Sequence, residues 1–184
     1  MSILFKVVRR HVLALMLLPT SLMIANRAMA IQKAENQDVR DLLSLAAQQS
    51  ASLDYDADQM QSLLHNDVAW QTHAILLQAV KGHVNQLSRT IAKLEAERSE
   101  ASTWQQKGVD RVLPLLRELA ENTTAAINHL NKNQARPVSG YYADYLDENA
   151  ETAHDLNRII TATIEYGHMR GKLEKLEEQI QPST

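Results

Sequence analysis

The sequence predicts an all-α protein: an elongated antiparallel up-down helical bundle of one short and three long helices, preceded by an N-terminal signal peptide. Three observations carry this expectation. Glycine and proline are scarce, five and four in 184 residues, whereas a β-sandwich or barrel needs a turn signal about every 8 to 12 residues. Apolar residues from Leu77 onward recur at alternating steps of three and four, the period of a helix face. The first thirty residues have the tripartite order of an export signal.

Met1 to Ala30 begins with Lys6, Arg9 and Arg10, continues as an apolar run from Val12 to Ile24, and ends in the small-residue site Ala28-Met29-Ala30. Cleavage is expected after Ala30. The run covers 13 residues, short of the roughly 20 that span a bilayer, and Pro19 in its middle weakens it further as an anchor. Arg9-Arg10 resembles a twin-arginine pair, but Val8 stands where such signals carry Ser or Thr, so the segment reads as an ordinary Sec signal. A periplasmic or secreted location follows, with no stable membrane span after cleavage.

Removing residues 1–30 takes away four basic residues and no acidic ones, leaving 15 basic against 22 acidic, a net charge of −7. An acidic chain without a basic stripe is poorly suited to nucleic acid or anionic membrane surfaces. Cysteine is absent, which excludes a disulfide framework, a thiolate zinc site, a covalently attached haem, an iron–sulfur cluster and a lipoprotein anchor.

Residues 31–184 read as a single helical-bundle domain. In its first element, Asn36 or Asp38 is a candidate N-cap, and Val39, Leu42, Leu43, Leu45 and Ala46 form an apolar stripe before Gln48-Gln49-Ser50. That predicts a helix of about fourteen residues. Ser52 to Asp58 then reads as a break followed by an acidic helix start, since carboxylates favour the positive end of the helix dipole.

The second helix is expected from Asp54–Asp58 to Glu97, some forty residues or roughly 60 Å. Its seam runs through Leu77, Val80, Val84, Leu87, Ile91 and Leu94, and backwards in phase through Leu63, Asn66, Trp70 and His73. Asn66-Asp67 is a candidate kink. After a turn at Ser99–Thr103, with Ser102 or Thr103 as N-cap, Val109, Val112, Leu116, Leu119, Thr123, Ala126 and Leu130 define the third helix. Pro114 inside it removes one backbone hydrogen bond and predicts a bend near residues 110–114.

Asn131-Lys132-Asn133 with Pro137 closes that element, and Ser139 is expected to cap a last helix reaching Gln179. Gly167 and Gly171 within it each cost about 1 kcal/mol relative to Ala, which implies either close backbone approach or a soft point. Short connections leave no room for crossovers, so consecutive helices should run antiparallel. Heptad seams of this kind serve bundles and coiled coils alike.

Trp104-Gln105-Gln106, Asp110 to Leu116, Asn122-Thr123 and Ala125 to Asn131, together with Tyr142 to Leu146 and Lys172-Leu173-Glu174, resemble a group of exported helical-bundle proteins of soil bacteria without an assigned activity. The resemblance covers most of the chain beyond the signal. It implies a helical fold and an export signal, and no catalytic residue or cofactor.

Few constellations could carry chemistry. Glu151-Thr-Ala-His154 and Glu165-Tyr-Gly-His168 have the Glu-x-x-His spacing of carboxylate-bridged metal bundles, so Glu151, His154, Glu165 and His168 are metal-ligand candidates. Both motifs lie on one helix, roughly 21 Å apart by helical rise, and cannot share a dinuclear centre. Solvated pairs on a Glu-rich face are the simpler reading.

His73 at a seam position beside Trp70 is the most site-like feature, because a buried polar group demands a partner. That partner could be a haem or metal, with Met60, His168 or Met169 as second ligand, or simply Thr123, Thr163 or Glu121 of a facing helix. Asp54 to Asp58 has alternating oxygens, but Gln59 and His65 replace the Gly and Glu of a calcium loop. Tyr141, Tyr142 and Tyr145 form an aromatic patch suited to covering the bundle end or meeting a partner. There is no Gly-x-Ser-x-Gly elbow or Gly-rich phosphate loop.

The chain therefore reads as a non-enzymatic, exported interaction or structural protein of the envelope. It needs no cofactor, and a protein partner or self-association is open to it. The alternative is a periplasmic bundle binding a metal, haem or small ligand around His73 and Trp70.

Overall fold

Leu53, Ala57 and Met60 continue, in phase, the buried face begun by Val39, Leu43, Ala46 and Ser50. The first helix follows them. In the computed structural model, which describes residues 37–180, α1 spans Gln37–Ser62, 26 residues. The signal segment expected at residues 1–30, the cleavage expected after Ala30 and the candidate Asn36 cap lie outside the described residues.

The break expected at residues 52–58 is thus absent. Nothing there stops a helix, since no Gly or Pro intervenes and the apolar period runs through. The short first helix and the forty-residue second one are both corrected. The chain instead breaks later: a 3-10 turn at Leu63–His65 is followed by Asn66 in extended conformation, and α2 spans Trp70–Ala96, 27 residues. Asn66, expected as a kink, ends the element outright. Its side chain donates to the Ser62 carbonyl at 2.8 Å, offering the backbone a turn in place of a further helical bond.

The remaining boundaries follow local chemistry. Ser102 is the N-cap of α3, Thr103–Lys132, and Gln105 reaches back so that its Oε1 accepts the Ser102 N–H at 2.8 Å. Pro114 is exposed and the helix continues through it. Solvent on that side satisfies the carbonyl that the proline leaves without a donor. Gly140, at φ 54°, takes the left-handed conformation that a side chain disfavours, and two residues later α4 begins, Tyr142–Ile180, 39 residues.

The described residues form an all-α bundle of four helices, with no strand among them. Contacts join α1 to α2, α2 to α3, α3 to α4, and α4 back to α1. The core is made by the seam residues, with Leu53, Leu87, Leu119, Leu146 and Leu156 fully excluded from water. On α1 and α4, Ser50 and Asp54 meet Asn157 at 3.0 and 2.9 Å, while Gln61 meets Asp147 at 2.8 Å. On α3 and α4, Trp104 meets Tyr166, Gly108 meets Thr163 and His129 meets Tyr142. In both pairings one number rises as the other falls.

No described helix is long and apolar enough to cross a membrane. Beyond Gly167 no residue of α4 up to Ile180 is buried. The last stretch of the longest helix therefore has no core partner among the described residues.

Candidate functional site

The seam phase that places His73 inward also removes it from water completely. Its Nδ1 lies 3.2 Å from the hydroxyl of Tyr142, at the start of α4. The two rings meet edge to face at 5.5 Å, and Tyr142 stacks at 5.2 Å on His129, near the end of α3. Ser139 in the α3–α4 connection approaches His129 Nε2 at 3.4 Å. Three helix ends are thus joined by one aromatic cluster, in which His73 and Tyr142 are buried and His129 is half-buried.

Among the described residues His73 Nε2 has no hydrogen-bond partner. Burial holds the His73 imidazole below its ordinary value and pushes the Tyr142 hydroxyl well up, because desolvation disfavours the charged form of each. Both are neutral near pH 7. The pair exchanges one hydrogen bond between neutral groups, and the proton of the bond sits on whichever of the two donates.

The partners anticipated for His73 are corrected by this geometry. Thr123, Thr163 and Glu121 are not bonded to it. Thr163 instead bonds the Ile159 carbonyl at 2.8 Å. Met60 is a core residue, while Met169 and His168 are exposed. His168 lies 26 residues beyond Tyr142 on the same helix, roughly 39 Å by helical rise, and cannot reach His73. Trp70, one turn before His73, is half-buried against the core.

Glu151, His154, Glu165 and His168 are all exposed on α4. His154 faces Asp54 of α1 at 3.6 Å, so its neighbour is a carboxylate outside the Glu-x-x-His motif. Among the described residues no group of three or more His, Asp or Glu side chains is placed to hold a metal ion. Asp54 and Asp56 do not open a helix, as their run of acids suggested. They lie in the middle of α1, where Asp54 accepts the Asn157 amide and Asp56 faces His83 of α2 at 3.0 Å. Their role is lateral, between helices. The tyrosine patch also divides, with Tyr142 buried and Tyr141 exposed.

A second feature was not anticipated. Gly108 of α3 stands so close to α4 that a Cβ there would lie 2.6 Å from Thr163 Cγ2. Beside this close approach Trp104 and Tyr166 meet edge to face at 5.6 Å. They border an open groove of about 500 Å³ to which Lys107, Arg111, Arg158 and Arg170 contribute four cations. Arg158 pairs with Asp155 and Arg170 with Glu174, both along α4. This local excess of positive charge sits on a chain whose overall balance is acidic. Glycine at 108 was the available signal, but one glycine in a helix does not announce what approaches it.

Compared with protein-family models, with curated proteins and with solved structures, the chain finds no match.

The neutral buried histidine has a consequence for stability. The unfolded chain takes up a proton at His73 as pH falls through about 6.5, whereas the folded chain resists until a lower pH. Its contribution is fully present above that point and is lost as pH falls below it, with a slope of up to about 1.4 kcal/mol per pH unit. Urea midpoints between about pH 7.5 and 5 should show this fall in the wild type and a shallower one in His73→Leu. Equal slopes in the two proteins would show that His73 is not the group responsible.

Proposed function

We propose that this chain is an exported, non-enzymatic helical bundle that acts through its surface as an interaction or structural protein of the bacterial envelope. Export rests on the basic, apolar and small-residue order of Met1 to Ala30, with the mature chain beginning at Ile31. The opposed numbering of contacts between α1 and α4 and between α3 and α4, with short connections elsewhere, supports an up-down arrangement. The resemblance to exported helical-bundle proteins of soil bacteria points the same way.

The observation that carries the reading is the end of α4. Met169, Leu173, Leu176 and Ile180 are exposed by 65, 56, 54 and 80%, a contiguous apolar stripe of the kind that marks an interaction surface. The ligand-binding alternative rests on the unpartnered His73 Nε2 alone.

Both are tested on one sample. The chain is expressed from Met1 in a bacterial host, fractionated, and its intact mass and metal and haem content are measured. A protein beginning at Ile31 in the periplasm or medium, without stoichiometric metal or haem, is the expected result. Retention of residues 1–30 in the cytoplasm would remove the export reading, and stoichiometric metal or haem would replace the surface reading with the ligand-binding one.

A further inference from the structure

The apolar stripe at the end of α4 belongs to a longer pattern. Ile159, Ala162, Tyr166, Met169, Leu173, Leu176 and Ile180 are spaced 3, 4, 3, 4, 3 and 4, an unbroken heptad seam of three repeats. It is distinct from the core-facing seam, which includes Leu146, Asn149, Ala153, Leu156, Ile160 and Gly167. At about 100° per residue, Met169 points roughly 180° away from Ile160. One helix thus carries two apolar faces: one fills the bundle core, and the other starts in the open groove beside α3, where Ile159 packs against the core and Tyr166 meets Trp104, and has large side chains exposed by 51 to 80% from Tyr166 onward.

We propose that the outward seam of α4 pairs with the same seam of a second copy, as a parallel, in-register two-stranded coiled coil along residues 159–180. This identifies the partner in the surface reading above and rests on it. The charges beside the seam select the occupant and its direction. With Ile159, Tyr166, Leu173 and Ile180 as a positions and Ala162, Met169 and Leu176 as d positions, Glu165 and Lys172 fall at g, and Arg170 and Glu177 at e. A parallel pair sets each g against the e five residues later on the other helix. Glu165 then meets Arg170 of the second copy and Lys172 meets its Glu177, opposite charges in both cases and twice by symmetry.

An antiparallel pair sets e against e and g against g. Near its two-fold axis a residue then meets its own copy, like charge against like, which is unfavourable. Glu165, Lys172 and Glu177 are exposed. Arg170 makes a 3.4 Å contact with Glu174 on its own helix, a surface pair that contributes little and is readily exchanged. A seam of three heptads with complementary flanks is also the pattern that marks coiled coils in sequence.

The test uses the full chain, expressed from Met1 and purified from the host, with light scattering across a concentration series. A concentration-dependent dimer is expected. Leu173→Asp should raise the dissociation constant roughly 100-fold, since it buries an unpaired charge in the seam, while leaving the helical circular dichroism unchanged, because Leu173 touches no core. Glu165→Lys and Arg170→Glu should each weaken the dimer several-fold, and their combination should restore it.

The chain has no cysteine, so Ile180→Cys gives an unambiguous crosslink. A parallel pair forms the disulfide on oxidation, whereas an antiparallel one holds the two positions roughly 30 Å apart. A monomer at the highest soluble concentration overturns the pairing, as does a dimer indifferent to Leu173→Asp. A dimer without charge rescue or Ile180 crosslinking overturns the parallel register. None of these results bears on export or metal content, which test the function itself.

Discussion

Replacing Tyr142 by Ala is expected to cost about 3–5 kcal/mol of stability, the range for removing a large, fully enclosed aromatic side chain. Tyr142 has no exposed surface, stacks on His129, and supplies the hydroxyl 3.2 Å from His73 Nδ1. The truncation opens a cavity where α2, α3 and α4 meet and leaves both nitrogens of a buried imidazole without partners.

Tyr142→Phe separates the two effects. It keeps the ring and removes only the hydroxyl, so its cost should fall to about 1–3 kcal/mol, the penalty of stranding a buried polar group. Adding His73→Leu to Tyr142→Phe should recover part of that loss, since both polar partners are then gone and the core is apolar. Urea denaturation of the three variants decides this. A loss below about 1 kcal/mol in Tyr142→Ala would mean that the cluster does not hold the helix ends together.

The second large effect is expected at Gly108. Glycine inside a helix costs about 1 kcal/mol relative to Ala, so Gly108→Ala would stabilise an unobstructed helix. Here the new methyl would lie 2.6 Å from Thr163 Cγ2 and 2.7 Å from its Oγ1. Thr163 is β-branched, with a stiff χ1, and its hydroxyl is engaged with the Ile159 carbonyl. It cannot swing aside freely, and α3 and α4 must move apart.

Gly108→Ala is therefore expected to destabilise by about 1–3 kcal/mol, the cost of overpacking. In a Thr163→Ala background the clash is reduced, and the same substitution should become neutral or stabilising. Thermal unfolding of the four proteins of this cycle measures the coupling. Additive effects would show that the two helices do not meet at these residues.

How far the sequence spoke for itself differed from element to element. The seams of α2 and α3 were legible residue by residue, from Leu77 to Leu94 and from Val109 to Leu130, because apolar period and burial are the same physical fact seen from two sides. The boundary between α1 and α2 was misplaced. Acidic residues at positions 54–58 look like a helix start when only local propensity is weighed. Leu53, Ala57 and Met60 show that tertiary burial outweighs that preference. The reverse held at Asn66, whose short polar side chain competes with the helix for backbone bonds and ends it.

At the candidate sites, inwardness was readable and partnership was not. His73 was placed inward by its spacing alone, and it is fully buried. That Tyr142 faces it, 69 residues away in the chain, depends on how helix ends are brought together. The acidic residues Asp54 and Asp56 likewise acquired lateral partners on α4 and α2 that no local pattern announces. By itself, then, the sequence determined which residues between Leu77 and Leu130 turn inward and that the described chain is helical. The tertiary structure alone decided which inward residues meet, where Gly108 lets two helices touch, and that α4 keeps Met169, Leu173, Leu176 and Ile180 exposed at its end. Periodicity is a property of one helix and can be counted along it. Contact is a property of two, and exists only once both have been placed.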